Sequence, residues 1–276
     1  MKTFSFLLLI SFIMSCDNSV KQNNTDTNLT KTETLSSLLE SSKIVDLTYD
    51  YSDETVFWVT AKEFELEKVA YGMTDNGFFY AANNFCMAEH GGTHVDAPIH
   101  FAEGKQSVDE IPLTKLTGSG IKIDISDKAK GNRDYLVSID DITDWESKFG
   151  EIPENSIVLL YTGHSSFYPD KEKYLGTVER GPEAIKDLHF PGLSPEAATW
   201  LTQKRKIKAI GIDTPSIDFG QSYEFKSHVI LLEENIPAFE NVANMSELPD
   251  AGFAIIALPI KIKGGSGGPL RIIALL

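Results

Sequence analysis

The residues best suited to chemistry lie close together, because three of the six histidines, His90, His94 and His100, share one short segment with Asp96. Neutral imidazole and carboxylate groups are good ligands for Zn²⁺ and Mn²⁺. The intervals between the four residues are all even, so an extended chain would direct their side chains to one face. Two glycines and a proline in the segment argue against a helix. The segment therefore predicts a metal site on a strand or loop. The alternative is a polar cluster in a turn, whose side chains hydrogen-bond to one another without a metal ion.

Further candidate residues are spread along the rest of the chain. His164 follows an apolar run at 157–161 that predicts a buried strand, and we expect it to line the substrate pocket at that strand end. His228 and Glu240 are weak candidates when each is taken alone. Asp213 and Asp218 stand beside another strand end, where turn and capping roles are expected.

Three other side chains carry structural expectations. Cys86 lies in the apolar context Asn-Phe-Cys-Met-Ala, which predicts a buried, unreactive thiol. His189 is expected to be structural or exposed. Arg271 is expected to pair with a carboxylate in the core or at a subunit contact.

The histidine-rich segment resembles the signature of a known family. Its pattern His90-x-Gly92-Thr93-His94-x-Asp96-x-Pro98-x-His100-Phe101 is similar to that of the cyclase family, which includes bacterial kynurenine formamidases and isatin hydrolases. Later blocks of the family follow in the same order, and the likeness extends over about residues 43 to 276. These blocks are Thr162-Gly-His-Ser, Phe190-Pro-Gly-Leu-Ser-Pro-Glu-Ala, Gly211-Ile-Asp-Thr-Pro-Ser-Ile-Asp, Ser227-His-Val-Ile-Leu-Leu, Ile236-Pro-Ala-Phe-Glu-Asn-Val and Gly-Gly-Pro-Leu-Arg271.

The resemblance implies a two-metal site with defined ligands. His90, His94 and Asp96 match ligands of a first ion, and His228 matches a ligand of a second. Asp96 and Glu240 match carboxylates that bridge the two ions. Zinc or manganese is implied, as one or two ions.

The resemblance also implies roles outside the ligand set. His100 matches the general acid/base, a role for which an imidazole is suited. Trp58 resembles an aromatic residue that packs on the substrate. A swivelling β/β/α cyclase-like α/β fold and a homodimer or homotetramer are implied as well.

Charge and composition restrict the partners. The 276 residues carry a formal net charge of −15, and the longest basic stretch, 204–206, is short. An acidic surface repels phosphate backbones, so a nucleic-acid partner is excluded. A small-molecule substrate is the partner that remains.

The first residues predict export. Lys2 and the apolar run 4–14 have the length of a signal peptide, and Ser15-Cys16 resembles a bacterial lipoprotein signal in which Cys16 becomes lipidated. An ordinary secretory signal is the alternative. Residues 1–15 are thus interpreted as a signal peptide, 16–42 as a flexible tether, and 43–276 as the catalytic domain of a periplasmic or cell-envelope protein. The only membrane contact expected is the lipid anchor.

The patterning of the domain predicts one mixed α/β fold with many strands and few helices. Ser138 to Phe149 carries an apolar stripe, and Ser194 before Pro195 is a helix-start signal. The strands are expected near residues 44–49, 78–85, 120–125, 157–161, 207–212, 252–262 and 270–276, with a glycine-rich loop at 263–269.

These observations together predict an exported metal-dependent hydrolase of an amide C–N bond, acting through metal-activated water on an N-formyl aryl amine such as N-formylkynurenine. A first alternative is hydrolysis of isatin or another cyclic amide or lactone, because substrate pockets differ within one fold. A second is a non-catalytic lipoprotein that binds a metal or small ligand. The presence of His100 favours the enzyme, since a binding protein has little need of a proton donor.

Overall fold

The computed structural model describes residues 35–276, and this part of the chain contains twelve strands and seven α-helices. The strands are β1 (Ile44–Asp46), β2 (Glu65–Met73), β3 (Phe79–Cys86), β4 (His94–Asp96), β5 (Thr117–Asp124), β6 (Leu136–Val137), β7 (Ile157–Tyr161), β8 (Gly192–Leu193), β9 (Ala209–Ile212), β10 (Ala238–Glu240), β11 (Phe253–Pro259) and β12 (Gly267–Leu275). The helices are α1 (Leu35–Ser41), α2 (Leu113–Leu116), α3 (Ser126–Ala129), α4 (Ile139–Phe149), α5 (Lys171–Leu175), α6 (Pro195–Trp200) and α7 (Lys226–Glu233). Short 3₁₀ turns occupy Pro98–His100, His164–Phe167, Pro182–Asp187 and Met245–Glu247, and a π-helical turn, Leu201–Arg205, continues α6.

The contacts divide the chain after Glu40, and Ser41–Leu276 forms one unit. The predicted signal peptide, Cys16 and most of the predicted tether lie outside the described residues. Where the tether is described, the chain forms α1. Within residues 35–276, none of the helices has the length and apolar character needed to cross a bilayer.

One eight-stranded sheet organises the domain and closes on itself. The strands follow the order β1-β12-β11-β5-β7-β9-β10-β4, and β4 also pairs with β12, which gives a barrel-like closure. The strands β5, β7, β9 and β10 run parallel, whereas β4, β11 and β12 join antiparallel. The predicted mixed α/β domain is therefore observed.

Alternating side chains of the central strand explain why the sheet is covered on both sides. On β7, Val158 and Leu160 belong to an apolar cluster shared with α4, α6 and α7. Ile157 and Leu159 belong to a second cluster that the strands and their connections form among themselves. All four side chains are fully buried, as the uninterrupted apolar run predicts.

Two helix starts follow the predicted capping chemistry. Ser138 accepts a hydrogen bond from the backbone N–H of Asp141, whose carboxylate reaches back to the Ser138 N–H, so α4 begins with a capping box. Ser194 accepts from Ala197 N–H at the start of α6, with Pro195 in the first turn. Such caps each stabilise a helix by about 1 kcal/mol.

The strands β2 and β3 form a separate hairpin and correct one prediction. In residues 35–276 they pair only with each other, and most of their side chains are exposed. Cys86 ends β3 opposite Glu65 and is exposed, so the prediction of a buried thiol is wrong. Its neighbour Phe85 is exposed on this hairpin, and Met87, which follows the hairpin, is half-buried.

The glycine-rich segment is only partly a loop. Gly264 has φ of +74° and turns the chain, as expected. The prediction of a loop is wrong from Gly267 onward, because Gly267, Gly268 and Pro269 already belong to β12 and pair with β4. A Cβ at Gly267 would lie 2.5 Å from His90 Cε1, so this close approach of strand and imidazole requires glycine.

Candidate metal centre

Strand β4 positions two of the predicted ligands. His94 and Asp96 are two residues apart on an extended strand, and both point to the same side, as their spacing predicts. Antiparallel pairing of β4 with β10 sets Glu240 directly opposite His94. His94 Nε2 therefore lies 3.3 Å from Asp96 Oδ1 and 3.4 Å from Glu240 Oε2.

The two flanking histidines approach from outside the strand. His90 Nδ1 lies 2.6 Å from Asp96 Oδ1. His100 is not on an extended chain, because Pro98 begins a 3₁₀ turn that ends at His100. The expectation of one extended segment is wrong for this residue, yet the turn folds its ring back onto His90, with centroids 3.8 Å apart and nearly parallel planes.

Helix α7 places His228 beside Asp96 and Glu240. His228 Nδ1 lies 2.6 Å from Asp218 Oδ2, while Nε2 lies 3.0 Å from Asp96 Oδ2 and 3.1 Å from Glu240 Oε1. Asp218 also accepts the backbone N–H groups of Ser227 and His228, so it caps α7 as expected. Nδ1–H donates to Asp218, so in the neutral ring the lone pair of Nε2 faces the two carboxylates.

His94 gives the sharpest indication that a cation fits here. Its Nδ1 lies 3.0 Å from the carbonyl oxygen of Gly92, to which it can only donate, so the neutral ring has a lone pair at Nε2. That buried nitrogen finds no hydrogen-bond partner in the described part of the chain, although two carboxylates are near. The contacts of Nε2 with Asp96 and Glu240 are close but poorly aligned for hydrogen bonds. Because the lone pair of this nitrogen faces carboxylate oxygens, a cation between them would be bound favourably.

The electrostatics of the cluster lead to the same conclusion. Burial alone would raise the pKa of Asp96, but the adjacent imidazole rings of His228, His90 and His94 outweigh it and hold this pKa well below its ordinary value. Burial and the neighbouring charge of Asp96 raise the pKa of Glu240. Burial opposes protonation of His94 and His228, yet the adjacent carboxylates raise the pKa of both rings. The buried carboxylates of Asp96 and Glu240 are thus stabilised by positive charge beside them, which protons or a metal ion can supply.

All the predicted ligands meet in this cluster. The possible ligand atoms of His90, Asp96 and His100 lie within 4.8 Å of one another, and so do those of His94, Asp96 and Glu240. Asp96 is common to both groups, the position that the resemblance implies for a bridging carboxylate. His100 stands within the first group, so distance alone does not separate a ligand from a proton carrier.

A cavity of about 270 Å³ opens over the cluster. Its walls are mainly apolar, and Trp58 is among them, with ring contacts to Phe190 and Phe225 at 6.4 and 6.2 Å. Phe57 and Phe101 complete this aromatic part. Because a cavity of about 150 Å³ holds benzene, this one has room for a bicyclic aromatic molecule.

His164 stands elsewhere, which corrects the expectation that it lines the substrate pocket. It follows β7 as predicted, but it is not among the residues that line the cavity over the cluster. Its Nε2 donates to the carbonyl oxygen of Tyr174 at 2.6 Å, and its ring packs on Tyr174. Burial lowers the pKa of His164 to about 4, as expected for a neutral structural histidine.

The remaining candidates have structural contacts. Asp213 accepts hydrogen bonds from the backbone and hydroxyl of Thr162 and Ser165, in the turn role expected. His189 is half-exposed and lies 2.9 Å from Asp134. Arg271 pairs with the carboxylate of Asp46 on the surface rather than in the core.

The glycines that precede His94 serve packing. Gly92 has φ of +55°, and a Cβ there would lie 2.8 Å from the Tyr51 ring. A Cβ at Gly91 would lie 2.0 Å from Phe57. Thr93 donates to the carbonyl oxygen of Asn241, so it fixes the strand instead of contacting a ligand side chain.

Sequence reasoning missed the residues that orient the ligands. Asp218 was expected only to cap a turn, yet it also holds Nδ1 of His228. Ser266 lies 2.9 Å from His90 Nε2, and its hydroxyl donates to Glu89. The His90 and Ser266 pair is separated by 176 positions, so local spacing carries no signal for it.

Comparison with known proteins identifies the family. The model of the putative cyclase family matches residues 45–219. The isatin hydrolase of Roseibium aggregatum is 30% identical over 244 residues, covering 86% of this chain and 88% of that protein. A kynurenine formamidase of Salinibacter ruber is 26% identical over 229 residues, covering 83% and 95%.

A solved structure agrees with the sequence comparisons. Isatin hydrolase A from Ralstonia solanacearum superposes with a TM-score of 0.79 at 31% identity, covering 89% of this chain and 98% of that one. The predicted resemblance is therefore confirmed, as is the prediction of a hydrolase. This chain belongs to the cyclase family.

Proposed function

We propose that the protein is a metal-dependent amidohydrolase that cleaves the C–N bond of an aryl amide, such as an N-formyl aryl amine of the N-formylkynurenine type. The observation that carries this proposal is the buried Nε2 of His94, which faces Asp96 and Glu240 in the lining of a cavity that also contains four large aromatic side chains. Cation ligands thus adjoin a space suited to an aromatic ring, the combination that hydrolysis of an aryl amide requires.

The residues that would hold the metal are His90, His94, Asp96, His228 and Glu240. Imidazole and carboxylate donors together suit Zn²⁺ or Mn²⁺, and sharing of Asp96 between two groups supports a site for one or two ions. When bound, such an ion lowers the pKa of water from about 16 toward 7 and polarises the scissile carbonyl.

His100 is proposed to move the proton. Burial lowers the pKa of His100 to about 4, so its ring is neutral at pH 7 with a free lone pair, and once protonated it is a strong acid toward the leaving nitrogen. It takes a proton from the attacking water as the new O–C bond forms, and returns it to the leaving nitrogen as the C–N bond breaks. One water is consumed, and the products are a carboxylic acid and an amine. Stacking on His90 holds the ring in place for both transfers.

The aromatic wall orients the substrate and excludes water. Trp58 lies on this wall and contacts Phe225, so its indole is available to pack on an aryl group. Its role as a substrate contact rests on this position and on the family resemblance.

The test is hydrolysis of formyl-anilides, isatin and small lactones by metal-stripped protein before and after addition of Zn²⁺ or Mn²⁺. We expect turnover to require the metal, and Asp96→Asn to lose both metal binding and turnover. Asp134→Asn is the matched control, because its carboxylate pairs with half-exposed His189 on the surface. Metal-loaded protein that turns over none of the panel would favour the non-catalytic binding lipoprotein.

Opening of a cyclic amide such as isatin is the second candidate reaction. It is favoured by the greater identity to isatin hydrolases, 30% and 31%, than to the kynurenine formamidase, 26%. The ratio of kcat/KM for isatin to that for N-formylkynurenine decides between the two substrates.

We also propose the swivelling β/β/α fold type, a homodimer or homotetramer, and export with a lipid anchor at Cys16. The closed sheet with helices packed on its parallel strands supports the fold type. The apolar run 4–14 before Cys16 supports export. We expect incorporation of labelled fatty acid to be lost in Cys16→Ala and kept in Cys86→Ala; equal labelling of both variants would contradict the anchor.

A further inference from the structure

A second cavity, of about 500 Å³, lies at the carboxyl ends of β5 and β7, the edge of a parallel sheet at which α/β proteins bind ligands. Residues from 126–133 and 161–167 form most of its wall, and none of the described residues lines both this cavity and the one over the metal cluster. The first three residues of the block Thr162-Gly-His-Ser lie in this wall, and they have no part in the metal centre.

His164 brings a buried hydrogen-bond acceptor to this second cavity. The residue is only 4% exposed, and its Nε2 lies 2.6 Å from the carbonyl oxygen of Tyr174. Because a carbonyl oxygen only accepts, the proton of the neutral ring is on Nε2, and Nδ1 carries a lone pair. In residues 35–276 Nδ1 has no hydrogen-bond partner, yet it is accessible to solvent, so a molecule in the cavity can donate to it.

Arg133 supplies a positive charge at the same cavity. Its guanidinium lies over the Phe167 ring, 6.0 Å from the centroid, and Nη2 donates to the carbonyl oxygen of Lys173. These two contacts hold the group in place, while its other N–H donors have no partner in the described part of the chain. The Phe167 ring also contacts the His164 ring, with 5.4 Å between centroids. The cation and the buried acceptor therefore lie beside one aromatic ring.

The charges that line the cavity favour an anion, although the whole chain is acidic. Arg133 and Lys130 stand in the wall with a single carboxylate, Asp127. Burial, together with the nearby charge of Arg133, lowers the pKa of His164 to about 4, so its Nδ1 is an unprotonated acceptor at pH 7. An occupant that satisfies these groups offers a negative group to Arg133 and an N–H or O–H donor to His164.

We propose that this cavity binds a small aromatic carboxylic acid that carries an amino or hydroxyl group. Its carboxylate pairs with the guanidinium of Arg133, whose planar fork matches carboxylate geometry. Its ring packs on Phe167, and its amino or hydroxyl group donates to Nδ1 of His164. Because a cavity of about 150 Å³ holds benzene, a substituted ring fits here. The site is separate from the metal centre, so binding requires no metal ion.

Isothermal titration calorimetry of the full-length protein with the three isomers of aminobenzoate tests this proposal. The titration is made before and after removal of metal with a chelator, because a carboxylate can also bind to a metal ion in the other cavity. We expect at least one isomer to bind the chelator-treated protein. Benzoate lacks the donor and should bind about 2- to 10-fold more weakly, the usual effect of one hydrogen bond.

Two arginine variants provide the matched comparison. Arg133→Gln removes the charge and should weaken binding of aminobenzoate by at least about 10-fold, because charge-assisted hydrogen bonds to the carboxylate are lost. Arg271→Gln is the control, because Arg271 is an exposed arginine outside this cavity that pairs with Asp46, and it should bind aminobenzoate like the wild type. Circular dichroism checks that both variants are folded.

The acceptor is tested by His164→Phe, which should bind benzoate and aminobenzoate with equal affinity. A wild type that binds no isomer at millimolar concentration, or Arg133→Gln that binds like Arg271→Gln, would overturn the proposal. Inorganic phosphate that binds as tightly as aminobenzoate would contradict an aromatic ligand. Because none of these titrations measures hydrolysis, their outcome is independent of the proposed amidohydrolase activity.

Discussion

The hydroxyl of Ser266 lies 2.9 Å from Nε2 of His90 and donates its proton to Glu89 Oε2 at 2.6 Å. Because a hydroxyl has one proton, Ser266 must accept a hydrogen bond from His90 Nε2–H. The opposite nitrogen, Nδ1, is thereby directed to Asp96. Glu89 and Ser266 set the tautomer in which Nδ1 can give a lone pair to a cation, as partners of metal-binding histidines do.

Removal of this hydroxyl should weaken metal binding. We expect Ser266→Ala to lower the affinity for Zn²⁺ or Mn²⁺ by about 10- to 100-fold, the usual cost of losing a hydrogen bond that orients a ligand. Competition with a chelator measures the affinity without reference to activity. Ser266→Thr should restore binding, and Ser147→Ala, a serine on the exposed side of α4, is the control. Unchanged affinity in Ser266→Ala would show that His90 is oriented in another way.

Two histidine variants should separate metal binding from proton transfer. His94→Ala removes the buried nitrogen that faces both carboxylates, so loss of metal is expected. His100→Ala should keep the metal but lower kcat by about 10²- to 10⁴-fold, because a general acid/base is lost. Metal content and kcat are measured for both. If His100→Ala loses metal as completely as His94→Ala, His100 is a ligand, as its distance to His90 and Asp96 also permits.

The buried His164 should make the fold sensitive to acid. Burial lowers the pKa of His164 to about 4 in the folded chain, against 6.5 when unfolded. The unfolded chain therefore binds this proton first as the pH falls, so stability is complete above pH 6.5 and decreases toward pH 4. The shift corresponds to about 3 kcal/mol.

Comparison with a variant isolates this contribution. Metal-free His164→Phe should be less stable than the wild type at pH 7, because the hydrogen bond to Tyr174 is lost. Its free energy of unfolding should decrease less between pH 6.5 and 4, and urea unfolding at several pH values measures this. Histidines of the metal centre titrate in both proteins and cancel in the difference. Parallel pH dependences of the two proteins would rule out His164 as the source.

The sequence predicts the site better than its surroundings, for identifiable reasons. His94 and Asp96 share a face because strand geometry follows from local spacing. His228 and Glu240 join them through tertiary contacts, which only the family resemblance anticipated. His100 was expected there from its spacing, but a 3₁₀ turn instead of an extended chain brings its ring to the cluster. Asp218 and Ser266 were missed as orienting residues because their partners are set by the fold.

The wrong predictions have a common cause. Cys86 was expected in the core from its apolar neighbours, but it ends an exposed strand of the hairpin together with Phe85. His164 was expected in the substrate pocket because it follows a buried strand, but its ring turns toward Tyr174. In both cases the local sequence is apolar or strand-like, and the direction in which the element faces is decided by distant residues.

The aromatic wall should determine affinity more than rate. Trp58 lines the cavity, whereas the atoms proposed to react lie near His100 and Asp96. We expect Trp58→Ala to raise KM for an aryl amide or isatin by about 10-fold or more, with a smaller change in kcat, because contact with the ring is lost in ground and transition states alike. Trp58→Phe keeps an aromatic face and should recover most of the affinity. Steady-state kinetics under one metal concentration compare the variants, and circular dichroism checks that each is folded. A decrease confined to kcat would instead place the indole at the reacting atoms, since only interactions specific to the transition state act on that constant alone.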